Sequence, residues 1–510
     1  METYDVIIIG TGAGGGTLAQ QLAPSGKRIL ILERGDYIPR EKENWDTKAV
    51  FIDGRYKADE HWKDKDGKKF APGIHYCVGG NTKVYGAALF RMRKEDFGEV
   101  KHHGGVSPAW PIDYEDLQPY YLKAEELYSV HGLRGSDPTD PHEEHPYYQP
   151  PLPHEPRIQE LFDNIKAQGY SPFPLPLGLR TSQTTAEAPY VLDRFDGYPD
   201  AAEMKADSHV ICIRKALEHP NVTIITDCLV ERLETDAEGK RVEKVIAKHQ
   251  GKEITLSAKQ VVVACGAINS AVLLLKSAND QHKNGLANGS GVVGRHYMAH
   301  NNSAVLAVSA TPNPTKFGKT LAINDFYFGD DDFAYPMGHI QMLGKSDGEN
   351  LATDAPAIAP GFTLEYVAKH SVDFWMTSED LPDPENRVIV SPEGHITLHY
   401  KENNIEGHKQ LKKRLKKILE HAGCGDHILP NNFYLGKKIP IAGTAHQCGT
   451  VRFGTDPTTS ALNLNCRAHE VDNLYVVDGS FFPSSSAINP GLTIIAMALK
   501  VGDHLKNEVL

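Results

Sequence analysis

With 510 residues, the chain can bury a large core and holds roughly two to four domains' worth of material. Its hydrophobic fraction of 40% and charged fraction of 24% are ordinary for a globular enzyme. A net charge of −12, with its densest basic run confined to Lys409–Lys417, argues against nucleic acid or an anionic membrane as the main partner.

The N-terminus METYDVIIIG lacks the basic leader and cleavage site of a signal peptide, and no run approaches the ~18 apolar residues of a membrane span. Seven cysteines lie scattered with no C-x-x-C pair and no metal spacing. Reduced thiols, no bound metal and a cytoplasmic location are therefore expected.

In chain order, Tyr4–Ile9 (YDVIII) reads as a buried parallel strand. Gly10-Thr11-Gly12-Ala13-Gly14-Gly15 follows, then a helix from Thr17 to Leu22 and a second strand, Arg28–Leu32, closed by Glu33. Residues 40–110 are polar and loop-rich. Residues 113–131 keep helical periodicity despite Pro119, and 132–157, dense in Pro, His and Asp, predict a long surface excursion. From 208 the α/β pattern returns: a helix to His219, then strands at Val222–Thr226, Val230–Leu233 and Gln260–Ala264. Residues 301–400 are β-rich, for example at Arg387–Val390 and His395–Tyr400. The basic run belongs to an amphipathic helix over 405–422 with a solvated lysine face. A strand at Leu474–Val477 and an apolar helix from Leu492 to Leu505 close the chain.

The glycine pattern follows a strand, opens a helix, and has Glu33 18 residues beyond Gly15. Together these specify a dinucleotide site. Gly10 permits the turn, Gly12 admits a pyrophosphate to the helix N-terminus, and Gly15 allows close helix–strand packing. Glu33 would accept ribose hydroxyls and repel a 2′-phosphate. No second mononucleotide-binding half follows residue 40. Instead strands return far downstream, ending at Ala264-Cys265-Gly266 and at Asp478, an arrangement that suits FAD better than NAD. Asp478 is a candidate for the ribityl or pyrophosphate region.

Near the C-terminus, Asn489 is placed to cap the last helix, with Pro490 in its first turn. That helix N-terminus, aimed at a flavin, would stabilise negative charge. His446 lies in a loop of small and polar residues, GTAHQCGT, and an imidazole with an ordinary pKa of about 6.5 suits a base near neutrality. Taken alone, both residues also read as a plain cap and a plain loop histidine.

These segments together resemble the glucose–methanol–choline (GMC) oxidoreductases over nearly the whole chain. The likeness is carried by the N-terminal fingerprint, Gly79-Gly80-Asn81-Thr82, Val263 to Asn269, Gly291 to His300 (GVVGRHYMAH), His446 to Thr450, and Asp478 to Pro490. The resemblance implies an α/β fold: a Rossmann-like FAD-binding domain (1–100, 200–300, 441–510) interleaved with an α+β substrate domain on a largely antiparallel sheet (101–199, 301–440). It also implies His446 as base and Asn489 as partner of the substrate hydroxyl. Gly80, Asn81, Thr82, Ala264, Gly266, Asp478 and Pro490 would join Gly10, Gly12, Gly15 and Glu33 around FAD. His300 is expected to pack against the cofactor domain. Asn302 and Thr377, the latter opening the stretch to Asp380, are the candidates for substrate contact, while His75, His102 and His103 are left unassigned.

Val78–Phe90, His103–Pro111 and Asp193–Asp207 are similar to bacterial pyranose and glycoside oxidases, above all C-glycoside 3-oxidases. This implies oxidation of a sugar C3 hydroxyl to a ketone, with electrons passing to oxygen. No histidine follows the double glycine, so FAD is expected to be non-covalent. No cysteine lies between Cys77 and Cys212, so no iron–sulfur or haem subunit is expected. A quinone-reducing dehydrogenase, a pyranose 2-oxidase, a non-redox flavin lyase and a redox-sensing binding protein are the alternatives.

Overall fold

The computed structural model describes residues 3–180, 195–352, 361–424, 427–430 and 445–510. The start of the glycoside-oxidase-like stretch (193–194) and the two residues two places before His446 and earlier (443–444) lie outside the described residues, as does part of the expected substrate domain (181–194, 353–360, 431–440).

The first sheet begins with β1 (Thr3–Ile9) and β2 (Ile29–Leu32), joined through helix α1 (Ala13–Leu22). Downstream it gains β3 (Val222–Ile225), β4 (Cys228–Thr235), β5 (Val242–His249) and β6 (Lys252–Val263). The parallel core runs β3-β2-β1-β6, and β4 and β5 extend β6 as an antiparallel flap. Ile7, Ile8, Ile31 and Val262 are fully buried, as strands covered on both faces require.

The second sheet has the opposite character. Its strands are β7 (Asn301–Val308), β8 (Leu321–Ile323), β9 (His339–Met342), β10 (Ser371–Ser378) and β11 (His427–Pro430), in the order β11-β7-β10-β9-β8, with the short strand Phe173–Pro174 added at the edge of β8, all antiparallel. Strand alternation sorts the side chains. Val305, Ala307, Ile340, Phe374 and Met376 pack with Leu411, Leu415 and Ile418 of the helix Ile405–Leu419, and with Ile158 and Leu161 of Pro156–Ala167. Lys409, Lys413, Lys416 and Lys417 of the same long helix are exposed, the solvated face expected of the basic run. Asn302, Ala304, His339, Gln341, Trp375 and Thr377 occupy the other face in register: Asn302 opposite Thr377 opposite His339, and Trp375 opposite Gln341.

The chain then returns to the first sheet, where β12 (Leu474–Val476) pairs parallel with β6. The last helix, α2 (Gly491–His504), is buried along most of its length and packs on α1 and on the helix Tyr114–Leu127, which accommodates Pro119. Pairing crosses the expected domain division where Trp62–Asp64 joins Ile396–His399, and single bridges cross it at Ala88–Leu177 and Leu179–Lys205.

The expected surface excursion at 132–157 is held down more firmly than its composition suggested. The buried guanidinium of Arg91 binds Glu125 and Glu143, that of Arg93 binds Asp137, and Arg134 stacks on Tyr147. Among the described residues no helix is long and apolar enough to cross a membrane.

Candidate active site

The turn from β1 into α1 is a crossing of backbones. Gly10 adopts φ +105°, and a Cβ there would lie 2.3 Å from the Ala264 carbonyl oxygen. A Cβ on Gly15 would sit 2.1 Å from Gly10 O, and one on Gly14, which sequence reasoning did not single out, 1.6 Å from Val477 O. Gly12 differs. It is the N-cap of α1 without a side-chain bond, and a Cβ there would meet nothing within 4 Å. The open space lies where an anion would meet the helix N-terminus.

Two loops clamp this turn. The double-glycine loop passes over it, a Gly80 Cβ falling 3.3 Å from Gly12 Cα. Ser208 donates its hydroxyl to Thr11 O and Gly12 O, its N–H donates to Thr82 Oγ1, and Lys83 pairs with buried Asp207 at 2.9 Å. Ser208, Lys83 and Asp207 carry no sequence signal beyond polarity. The Asn81 carboxamide braces its own loop, accepting from His75 N and donating to Gly73 O.

The two acids are engaged with the protein. Glu33 accepts from Thr11 N, Thr11 Oγ1 and Gly35 N, and burial raises its carboxyl above the ordinary range. Asp478 accepts from Gly266 N, Ser480 N and the hydroxyls of Ser270 and Ser480, tying β12 to the helix Ala267–Lys276. Burial raises its carboxyl as well.

His446 and Asn489, forty-three positions apart, meet: Asn489 Nδ2 lies 3.4 Å from His446 Nε2. Asn489 is not the helix cap. Pro490 holds the cap position and α2 begins at Gly491, which leaves the Asn489 carboxamide turned toward the imidazole. His300 lies against the 441–510 stretch assigned to the cofactor domain, but at the site itself: its Nδ1 lies 2.9 Å from His446 Nδ1 and its Nε2 3.4 Å from Ser485 O. Its signal was its place, a histidine ending a family-like stretch just before β7.

The polar face of the second sheet lies under this group. Asn302 donates to His300 O at 2.8 Å, and Thr377 donates its hydroxyl to Ala487 O at 2.7 Å, two residues from Asn489. His339, missed in the sequence, is fully buried, 2.7 Å from Asn324 Oδ1. Burial first, then the neighbouring His300, Lys319 and His339, hold His446 well below the ordinary histidine range. Burial also pulls His300 down to about 4 and His339 to about 3. All three imidazoles are therefore neutral at pH 7, the form that can accept a proton. Lys319, itself buried, pairs with Asp196.

Several buried polar atoms here lack a protein partner: Asn489 Oδ1, Asn302 Oδ1 and Trp375 Nε1. Unpaired buried acceptors and donors of this kind are costly unless a ligand meets them. The open space at Gly12 fits the pyrophosphate of a dinucleotide at the α1 N-terminus, and these unpaired atoms fit a polar ligand.

Residues 4–302 match the N-terminal part of the GMC oxidoreductase family and residues 390–498 its C-terminal part. The chain is 30% identical to 6'''-hydroxyparomomycin C oxidase of Streptomyces lividus, over 100% of this chain and 92% of that protein. It is 26% identical to the fructose dehydrogenase large subunit of Gluconobacter japonicus, over 99% and 98%. Among solved structures, formate oxidase of Aspergillus oryzae RIB40 superposes with a TM-score of 0.70 at 15% identity, covering 99% of this chain and 98% of that one. The fold, the fingerprint turn and two family segments spanning most of the sequence agree: the chain belongs to the GMC oxidoreductases, a family of FAD-binding flavoproteins.

Proposed function

We propose that the protein oxidises a secondary ring hydroxyl, that at C3, of a pyranose or C-glycoside to the ketone, with molecular oxygen as acceptor and hydrogen peroxide as second product. The observation that carries this reading is the meeting of His446 Nε2 and Asn489 Nδ2 at 3.4 Å beneath a polar sheet face. A substrate hydroxyl placed between them would donate its hydrogen to Nε2 and accept one from Nδ2. His446 then removes the proton as the C–H bond breaks, and the Asn489 amide steadies the charge growing on oxygen. Bound FAD would supply the two-electron acceptor that takes the hydride from the carbinol carbon. Gly10, Gly12, Gly15, Gly80, Ala264 and Gly266 would shape its backbone cradle, with Glu33, Asn81, Thr82, Asp478 and Pro490 close about it. No side chain in the 79–84 loop is a histidine, which supports non-covalent attachment.

Sugar as substrate draws support from the polyhydroxylated substrates named for the two relatives, and from the row Asn302–Thr377–His339 with Gln341 and Trp375 beside it. Asn302 and Thr377 stand nearest the reacting hydroxyl in this reading. The fructose dehydrogenase relative favours one second reading, the same oxidation with a quinone or dye as acceptor.

The test is an anaerobic screen of free sugars, O-glycosides and C-glycosides for bleaching of the FAD-loaded protein, followed by product identification. Bleaching by glycosides with a 3-keto product is expected; a panel in which no sugar bleaches the flavin overturns the reading. Peroxide yield against dye reduction then separates the two acceptors.

A further inference from the structure

We propose that His300 is a positioning residue that sets the tautomer of His446: it accepts the Nδ1–H of that imidazole and so leaves the Nε2 lone pair facing the substrate. The inference rests on the proposed role of His446 as base and adds to it the residue that makes the ring a base on the correct side.

The backbone brings the two rings together. Met298 pairs with Cys448 and Ala299 with Gln447 in an antiparallel bridge, and the same register sets His300 against His446 at its end. The ring centroids are 4.9 Å apart, nearly perpendicular at 83°, with Nδ1 to Nδ1 at 2.9 Å. At that distance one nitrogen must carry the hydrogen and the other the lone pair.

The surroundings choose which. The Ser485 carbonyl, 3.4 Å from His300 Nε2, can only accept, so that nitrogen bears the hydrogen. Burial keeps His300 neutral, its pKa near 4, so its Nδ1 is the lone pair. His446 Nδ1 must then donate, and His446 Nε2 must be bare, toward the Asn489 amide that donates to it. The opposite assignment fails at both ends. His300 Nε2 would face the Ser485 oxygen lone pair to lone pair, and His446 Nε2–H would face the Asn489 N–H. Turning the Asn489 amide over relieves one end and leaves the other.

The pair is also held from outside. Asn302 donates to His300 O, and Asp380, buried, accepts from Ala299 N at 3.0 Å. Ser485 lies four residues before Asn489 in the same loop, so one segment carries both the carbonyl that faces His300 and the amide that faces His446. Without an acceptor at His300, an isolated neutral imidazole would divide between its two tautomers, and only one of them can take a proton at Nε2.

Three FAD-loaded proteins test this: wild type, His300→Leu, and His300→Asn, whose side-chain oxygen reaches the position of Nδ1. Nitrogen-15 spectra of histidine-labelled holoenzyme, with His446 assigned by its loss in His446→Gln, read the tautomer without any substrate. The expected result is a protonated Nδ1 and a bare Nε2 in wild type and in His300→Asn, with mixed signals in His300→Leu. Anaerobic flavin reduction should slow roughly two- to tenfold in the leucine variant, as a neutral ring divided between two tautomers requires, at unchanged substrate dissociation constant. The asparagine variant should recover most of that loss. A protonated Nε2 in wild type, or equal slowing in the two variants, overturns the inference. Should no alcohol reduce the flavin, the proposed reaction fails, and the nitrogen spectra still decide the tautomer.

Discussion

In the first sheet Ile7, Ile8, Ile31 and Val262 are apolar and sealed on both sides, whereas the second sheet is apolar on the side that carries Val305, Phe374 and Met376 and sets the polar Asn302, His339 and Thr377 on the opposite side. In the proposed reading the first sheet would meet FAD through backbone, at a turn where Gly10, Gly14 and Gly15 are too tightly packed to bear a side chain and Gly12 leaves the space open. The second sheet would meet the substrate through side chains whose hydrogen-bonding roles are set by their neighbours. Substitutions should therefore act by exclusion in one region and by lost donors and acceptors in the other.

The largest effect tests the second half of that contrast. His446→Ala should keep FAD and the fold yet slow anaerobic flavin reduction by about 10²–10⁴-fold, the usual worth of a general base. The imidazole takes no part in the backbone crossings at Gly10, Gly14 and Gly15, so its removal leaves them undisturbed. Near-wild-type reduction would mean that another group takes the proton.

The first half is sharpened by a pair of glycines. Gly14→Ala forces a methyl to 1.6 Å from Val477 O, and should cost about 1–3 kcal/mol in the thermal unfolding of the apoprotein. Gly12→Ala meets no protein atom within 4 Å, so apoprotein unfolding should be unchanged while the flavin-to-protein ratio collapses. Equal behaviour of the two would show that the space at Gly12 is not the cofactor's. In wild type, acid precipitation should leave the yellow colour in the supernatant, as non-covalent attachment requires.

The same contrast explains what could be read beforehand. The strand–turn–helix–strand unit was legible because its information is local: four consecutive apolar residues, a glycine pattern, then Glu33, all within 33 residues. The amphipathic helix at 405–422 was legible for the same reason, its leucines spaced for one face. His446 and Asn489 became legible only through the family likeness, since a loop histidine and a residue before Pro490 have plain structural readings. His300, His339, Gln341 and Trp375 were not legible as site residues. Their meaning comes from cross-strand register, Ala299 against Gln447 and Gln341 against Trp375, which joins positions 34 to 148 residues apart. The plain cap reading of Asn489 follows the usual pattern of a polar residue before Pro, but Pro490 takes the cap position and the Asn489 carboxamide faces His446.

A smaller effect separates the two faces of the second sheet. Thr377→Val removes the hydroxyl that holds Ala487 O, leaving a buried carbonyl unpaired at a cost of about 1 kcal/mol. Because that carbonyl lies two residues from Asn489, flavin reduction should fall roughly fivefold, the same energy expressed as a rate. Met376→Leu, one residue away on the helix side, conserves volume and should leave the rate unchanged. Equal losses in both would mean that the sheet acts as a rigid floor with no polar role.

The smallest expected effect is an absence of change with pH. A loop histidine in water would lose its basicity through pH 6.5. His446 is held well below that value, chiefly because burial disfavours the charged ring and then because His300, Lys319 and His339 add to the penalty. A lowered pKa means that protonation, which would disable the base, is postponed to more acid solution. The rate of flavin reduction should therefore be flat from pH 8 down through 6.5 and decline only well below it, provided that the fold is intact by circular dichroism. Replacing Lys319 by Met would remove one of the charges that disfavour the imidazolium and should bring the acid limb nearer to 6.5; the accompanying Asp196→Asn avoids stranding the carboxylate that Lys319 now neutralises. A wild-type profile that already bends at 6.5 would place the working base in water, away from the sheet face that distinguishes this half of the molecule.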